Sequence, residues 1–468
     1  MTSDTTTTNG TLATIRAYVR TQFAIEQDDP DFSDSVHLFE EGYVDSIGLV
    51  SLIAYLEAAF EIKLGESVLF SDEFTTVEGI ASVVDAARAD AVPLAPAQRE
   101  GQVRPFTRAD LPAVTELYEE VMRSGTRNPP PGLASYIASF FLDHPHVDPE
   151  LPSLVYEGAD GRIVGFIGSH TRRLSWRGER IRLACSGQFV VEAKSRSLAA
   201  GTYLLKAFFD GPQDLTVTDG GVPALQEMWE GLGGKAVTAS NVRWTKVFRP
   251  WRHTTATLAE GRSFLETLGW LGTPVWAALD GVTRLLTRRF RAAEFKGTAT
   301  DLTPESYLAA IDDVRSAYAL VPEYDEEFLR WQFAEMKRVK SRGPLRARAL
   351  RAADGGIAGW YVAYLPRGRQ GSVVSLAAAP SRAGDVLSLL FADAEAAGVT
   401  AVFGRVEPGF QAALHQAGVA VSPVRSTTLV HTRRDELYAT LFRGDALLTR
   451  FEGEWWAGFQ HEPHQDPV

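Results

Sequence analysis

Hydrophobic positions follow a helical period over the first ninety residues and alternate between helix-like and strand-like periods beyond residue 102. Leu12, Ile15, Val19 and Phe23 fall on one face of a predicted helix. After a loop with Pro30 and several aspartates, a second helix is expected to start at Asp45, with Leu49, Leu52, Leu56 and Phe60 on its apolar face. Thr75 and Glu78 have the spacing of a capping box, and Val77, Ile80 and Val84 supply the apolar face of the helix they open. These elements predict a small helical bundle over 1–90. Residues 91–101, with Pro93, Pro96 and Gly101, carry no apolar period and read as an extended linker.

From Val103 the pattern is mixed α/β. A helix over 109–122 precedes strands over 163–174 and 180–191, joined by a turn at Arg177-Gly178. Helix 198–209, strand 215–218, helix 224–232 and strand 243–248 complete a unit over 102–252. A helical connector spans 253–299. Its most apolar stretch, Thr267 to Leu279, contains Pro274 and is shorter than the roughly 20 apolar residues of a membrane span. It is expected to be a buried or interdomain helix. A second unit over 300–468 has helices at 304–319, 325–338, 382–397 and 409–416, and strands at 345–351, 356–365, 371–378, 400–406 and 425–431. That order echoes the first unit.

Charge divides the chain in the same place. Residues 1–90 hold 17 Asp and Glu against 4 Lys and Arg, while the remainder holds 42 against 43. An acidic helical module argues against nucleic acid and for docking on basic surfaces. The single cysteine, Cys185, excludes an internal disulfide framework and fits a reducing, cytoplasmic location. His144 and His146 flank Pro145 with no third ligand at regular spacing, which predicts a solvated loop and no metal.

Ser46 follows Asp45 and precedes Ile47 where the second helix begins. Free backbone N–H groups and the positive end of the helix dipole favour a phosphate ester there. Asp-Ser alone is also a common helix cap. Module size, helix order and acidity add to the motif, and residues 11–87 resemble an acyl carrier protein of the four-helix type. The resemblance implies that Ser46 carries a 4′-phosphopantetheine arm. It also implies that Asp45, Ile47, Glu57 and Glu61 form the face partners read, and that a phosphopantetheinyl transferase and an acyl-loading enzyme serve the module.

Phe189-Val190-Val191, followed by Arg196-Ser197-Leu198-Ala199-Ala200-Gly201, is a strand leading into a loop and a helix. Small residues there let backbone N–H groups approach a phosphate, and Arg196 adds charge. With Val103-Arg104-Pro105-Phe106 and Asp110, this stretch resembles the GNAT acyltransferase superfamily. The resemblance implies a strand that splays open and pairs with a pantetheine arm through Val190, Val191, Arg196, Ala199 and Gly201. It implies a general base near the fourth strand, for which Glu192, His170 and Gln188 are candidates. Ala199 stands where the family usually has Gly. Trp229 stands where many members offer a thiol-protonating Tyr, so a tethered thiol fits better than free coenzyme A.

Residues 300–468 also resemble a GNAT unit, a degenerate one. Ala377-Ala378-Ala379-Pro380-Ser381-Arg382-Ala383-Gly384 lacks the phosphate-loop glycines, and Asp385 adds a negative charge. The expected architecture is an all-α carrier domain followed by two α/β GNAT-like domains. Trp455 and Trp456 are candidates to line an acceptor pocket between them or to pack in the core. The implied activity moves an acyl group from the carrier arm to an amine of a small-molecule acceptor, as in tailoring enzymes of bacterial antibiotic assembly. Loading of the carrier from coenzyme A or acyl-coenzyme A, and a non-catalytic platform, are the alternatives.

Overall fold

The structure, a computed structural model, describes residues 4–23, 25–26, 28–39, 41–44, parts of 52–64, and 72–89, 101–192, 198–237, 241–259, 273–379, 381–423 and 426–457. In the N-terminal module, helix Asp4–Gln22 and helix Val77–Ala89 pack through Ile15, Val19, Ile80 and Val84. Leu38, Val44, Leu52, Leu56 and Phe74 close the same core, and Tyr18 stacks on Tyr55 at 3.7 Å. Helix Val77–Ala89 is capped by Thr76, not Thr75: the Thr76 hydroxyl accepts the Gly79 N–H at 3.0 Å. Thr75 instead offers its carbonyl to the Leu38 N–H.

Beyond the linker, two mixed sheets form. Strands β1 (Gln102–Pro105), β2 (Leu154–Glu157), β3 (Ile163–Trp176), β4 (Glu179–Val191) and β5 (Leu215–Gly221) make the first. The β3–β4 hairpin turns on Arg177 and Gly178, both at positive φ (52° and 86°), as a two-residue turn of matching twist requires. The chain continues through β6 (Lys235–Ala236), β7 (Val242–Val247), β8 (Ala299–Asp301), β9 (Leu320–Glu323), β10 (Leu345–Arg351), β11 (Ile357–Tyr364), β12 (Gln370–Ala378), β13 (Ala401–Arg405), β14 (Ala420–Pro423) and β15 (Thr427–His431).

The sheets exchange strands. β7, expected to end the first unit, instead lies between β13 and β14 of the second sheet. β15, expected to end the second unit, inserts between β5 and β6 of the first. β9 pairs the far end of β3. Hydrophobic period identifies a strand but not its neighbours, because either sheet accepts an alternating segment. One core lies between the sheets, joining Phe106, Leu117, Phe141 and Phe166 to Tyr307, Phe333, Trp360 and Phe451.

Three further expectations change. Of the apolar stretch, residues 273–279 are described, within helix Thr273–Leu286; this helix is exposed rather than buried, and Arg284 ties it to Glu395 of the second unit. It packs Trp276 on Trp251 and buries Asp280 against Arg252, yet Leu286 is 82% exposed, with Val275, Val282 and Leu285 also exposed. His144 and His146 are buried rather than solvated, and His146 meets Asp325 at 2.8 Å. Helix Leu133–Phe141, helix Asp435–Arg443, β2 and β9 are additional elements.

Leu429 of β15 is buried against Ile167, Leu204 and Phe208 of the first unit. Leu429→Ala is expected to cost about 2–5 kcal/mol. Hydrogen exchange should then rise in β5, its partner across the exchange, and not in β13.

Candidate active site

β4 and β5 run parallel only from Leu183 opposite Leu215 to Cys185 opposite Val217. Beyond that point β4 stays with β3, while β5 turns to β15. β4 carries a bulge here, with Gln188 at φ 53° and the register jumping between Gly187 and Val190. The two strands form a fork, and each releases backbone groups that need new partners.

Glu454, from the C-terminal segment 449–457, lies in this fork. Its Oε2 accepts the Asp219 N–H at 3.1 Å and the Cys185 thiol at 3.1 Å. Its Oε1 accepts the Gly220 N–H at 3.1 Å and the Thr218 hydroxyl. Asp219 answers by accepting the N–H groups of Glu454 (2.9 Å) and Trp455 (2.8 Å) on Oδ1. The approach is tight. A Cβ at Gly453 would collide with the Asp219 carboxylate, and one at Gly220 would sit 3.0 Å from Glu454 Oε1.

Burial and then the Asp219 charge push the Glu454 carboxyl well above the usual carboxylate range. Burial and then Glu454 push the Cys185 thiol up, so it stays protonated. Tyr136 closes the other side. Its hydroxyl donates to the Ala457 carbonyl and accepts from Gln188 at 2.9 Å, and burial raises its pKa well above the ordinary phenol value. The arrangement offers one carboxyl able to exchange a proton, held beside backbone N–H donors.

Of the residues singled out from sequence, Gln188 reaches the fork through Tyr136. His170 pairs across the hairpin with Cys185, but its Nε2 accepts from Arg172 at 2.7 Å, and burial and then Arg172 hold it neutral, well below the usual histidine range. Glu192 is bound by Arg127 (2.8 Å) and Arg162 (3.0 Å). Val190 is buried in the core between the sheets, and Val191 packs toward the helix Leu198–Phe209. A Cβ at Gly201 would lie 3.4–3.5 Å from Met228, Phe189 and Val191, an ordinary packing contact in the helix Leu198–Phe209. Ala199 lies within that helix. Arg196, Asp45, Ser46, Ile47, Glu57 and Glu61 lie outside the described residues. Trp229 is fully buried against Phe209. Among the described residues no group of three or more His, Cys, Asp or Glu is placed to hold a metal, and no helix is long and apolar enough to cross a membrane.

The second sheet repeats the fork. β12 and β13 pair in parallel only over Gln370–Ser372 and Ala401–Phe403. Past β12, Arg382 neutralises Asp385 at 2.7 Å. Sequence reasoning missed Glu454, Asp219 and Tyr136. The one available signal was Gly453, set between two acids and followed by two tryptophans.

Cys185 should resist iodoacetamide at pH 8 in the native chain and react fully in denaturant, as intact mass will show; rapid native labelling would contradict the burial described. Gly453→Ala should destabilise by about 1–3 kcal/mol, read from denaturant midpoints.

Residues 13–84 match the phosphopantetheine attachment site family, and this match implies a covalent phosphopantetheine arm and a phosphopantetheinyl transferase that installs it. Among the described residues of the matched segment, Val44 donates its N–H to the Leu38 carbonyl, and Val44, Leu52 and Leu56 are buried in one core. No curated protein sequence matches the chain. Among solved structures it is similar to a probable N-acyltransferase of unknown function from Enterococcus faecalis (10% identity, 71% of this chain and 73% of that one, TM-score 0.46). It is also similar to a GCN5-related N-acetyltransferase from Anabaena variabilis (10%, 72% and 74%, 0.46). A third likeness is to Saccharomyces cerevisiae N-myristoyltransferase with bound myristoyl-CoA (12%, 73% and 79%, 0.42).

Proposed function

We propose that the chain is an acyltransferase that joins an acyl group from its own carrier module to an amine of a small-molecule acceptor, in the fork of the first sheet. The observation that supports it most is Glu454, a carboxyl of raised pKa between two diverging strands. When bound at Ser46, the arm supplies the acyl group as a thioester.

The chemistry needs a proton acceptor for the attacking amine and a proton donor for the departing sulfur. Glu454 serves both steps. Its carboxylate takes the amine proton as the C–N bond forms, and the resulting acid returns a proton to the thiolate as the C–S bond breaks. A carboxyl raised toward the thiol range suits that return better than an ordinary one. It also removes the need for a tyrosine where Trp229 stands, since Trp229 is in the core. Backbone N–H groups of Asp219 and Gly220 donate to Glu454 and hold its carboxyl in the fork, which supports its role in proton transfer. Fusing carrier and transferase raises the local donor concentration toward millimolar.

Because the reactive form of Glu454 is the carboxylate and its pKa is raised, kcat is expected to climb with pH through that ionisation. Glu454→Gln should lower kcat about 10²–10⁴-fold and remove that limb of the profile. A variant with unchanged rate and profile excludes Glu454 as the proton acceptor. Ser46→Ala should gain no prosthetic mass with a phosphopantetheinyl transferase and should transfer nothing. Acylation of the holo chain by acyl-coenzyme A alone would instead favour carrier loading.

A further inference from the structure

The layer between the sheets carries positive charge that its own partners do not account for. Arg450, 5% exposed, lies on the same C-terminal segment as Glu454. Its Nε and Nη1 are buried without a hydrogen-bond partner, and no carboxylate among the described residues is within ion-pair distance. Arg342 follows helix Glu326–Arg338. Its Nη2 donates to the Trp455 carbonyl at 2.8 Å, and its Nε is also buried and unpartnered. Both guanidiniums stack over the Trp455 ring, at 3.8 Å (Arg342) and 4.0 Å (Arg450) from its centroid.

The neighbouring charges are largely committed elsewhere. Arg405 is held by Thr428, by the Leu448 carbonyl and by Glu407 at 3.6 Å. Glu452 is held by Tyr324 and Thr449. Asp219 attracts both guanidiniums from beyond contact distance, and Glu407, already paired with Arg405, also attracts Arg450. Burial lowers the pKa of each, which marks the unmet cost of holding them there. The surroundings are not sealed. Glu454, Trp455, Arg342, Phe403 and Arg243 are all half-buried rather than buried, though they sit between two sheets. Phe403 meets Trp455 edge-on at 6.4 Å, and Arg243 lies 3.8 Å over Phe403.

A buried guanidinium with unmet donors costs several kcal/mol unless an oxyanion completes it. Fork geometry and planarity favour a carboxylate, which accepts two parallel N–H bonds. The residue next to Trp455 is Glu454, the proton acceptor of the reaction. We propose that Arg342 and Arg450 bind a carboxylate of the acceptor, so that the acceptor is an amino acid or a related amine bearing a carboxylate. This rests on the transfer reading above and names its substrate class. Trp455 holds both guanidiniums through its ring.

The test uses the full chain and the common amino acids, each paired with its carboxamide, as binding probes in calorimetry. At least one acid should bind tenfold or more tightly than its carboxamide. Arg450→Met and Arg342→Met should each erase that preference, and Ser46→Ala should keep it. Arg450→Met should also raise the melting temperature of the chain without acceptor, because it deletes an unpaired buried charge; a merely structural arginine would lower it. Equal binding of acids and carboxamides, or preference retained in both arginine variants, overturns the proposal. So does inorganic phosphate binding with no preference among the pairs, which would mark a general oxyanion site. Binding of acids by a chain that transfers no acyl group would leave this site standing and remove the transfer reading. Transfer to carboxamides as readily as to acids would do the reverse.

Discussion

When two parallel strands part, the backbone donors along the opening must find other acceptors or remain unsatisfied in a dry interior. In the first sheet that role falls to the side chain of Glu454, which takes the N–H groups of Asp219 and Gly220 from a segment more than two hundred residues away. The contact is reciprocal, since Asp219 takes the N–H groups of Glu454 and Trp455. It fixes the C-terminal segment, with Arg450 and Trp455, against β5 and sets the floor of the fork. A glycine at 453 is required because the Asp219 carboxylate occupies the space of any side chain there.

The interface between the sheets combines a large aromatic core with buried ionisable groups. Tyr307, Trp360 and Phe451 pack with Phe106 and Phe141, while Arg172, Glu452, Glu454 and Arg450 lie alongside. Apolar packing supplies the stability. The charged groups are costly in isolation and are held where the packing fixes their geometry. Pre-organised polar groups of that kind are what proton transfer and ligand orientation require.

Much of the architecture was legible in the sequence, for identifiable reasons. The 3.6-residue period of Leu12, Ile15 and Val19, the turn at Arg177-Gly178 and the long apolar strands around it each follow from local rules. Strand exchange did not, because β7 and β15 have the same local pattern wherever they pair. The burial of His144 and His146 was hidden because their partners, Asp325 and Phe328, are distant in sequence. A strand that splays open was expected from the family resemblance, and β4 and β5 pair over only three residues; the carboxyl between them was not expected. Glu454 lies outside any periodic element, and only the folded chain brings it to Cys185.

The exchange of β15 also bears on how the molecule is made. Synthesis proceeds from the N-terminus, and modules fold as they emerge. The carrier module, complete by residue 89, can fold and meet its modifying enzyme while most of the chain is still on the ribosome. The first sheet cannot close until β15 arrives, and its fork stays open until Glu454 does. An incompletely translated chain therefore has a finished carrier module and an unfinished fork, so premature termination spares the first and loses the second.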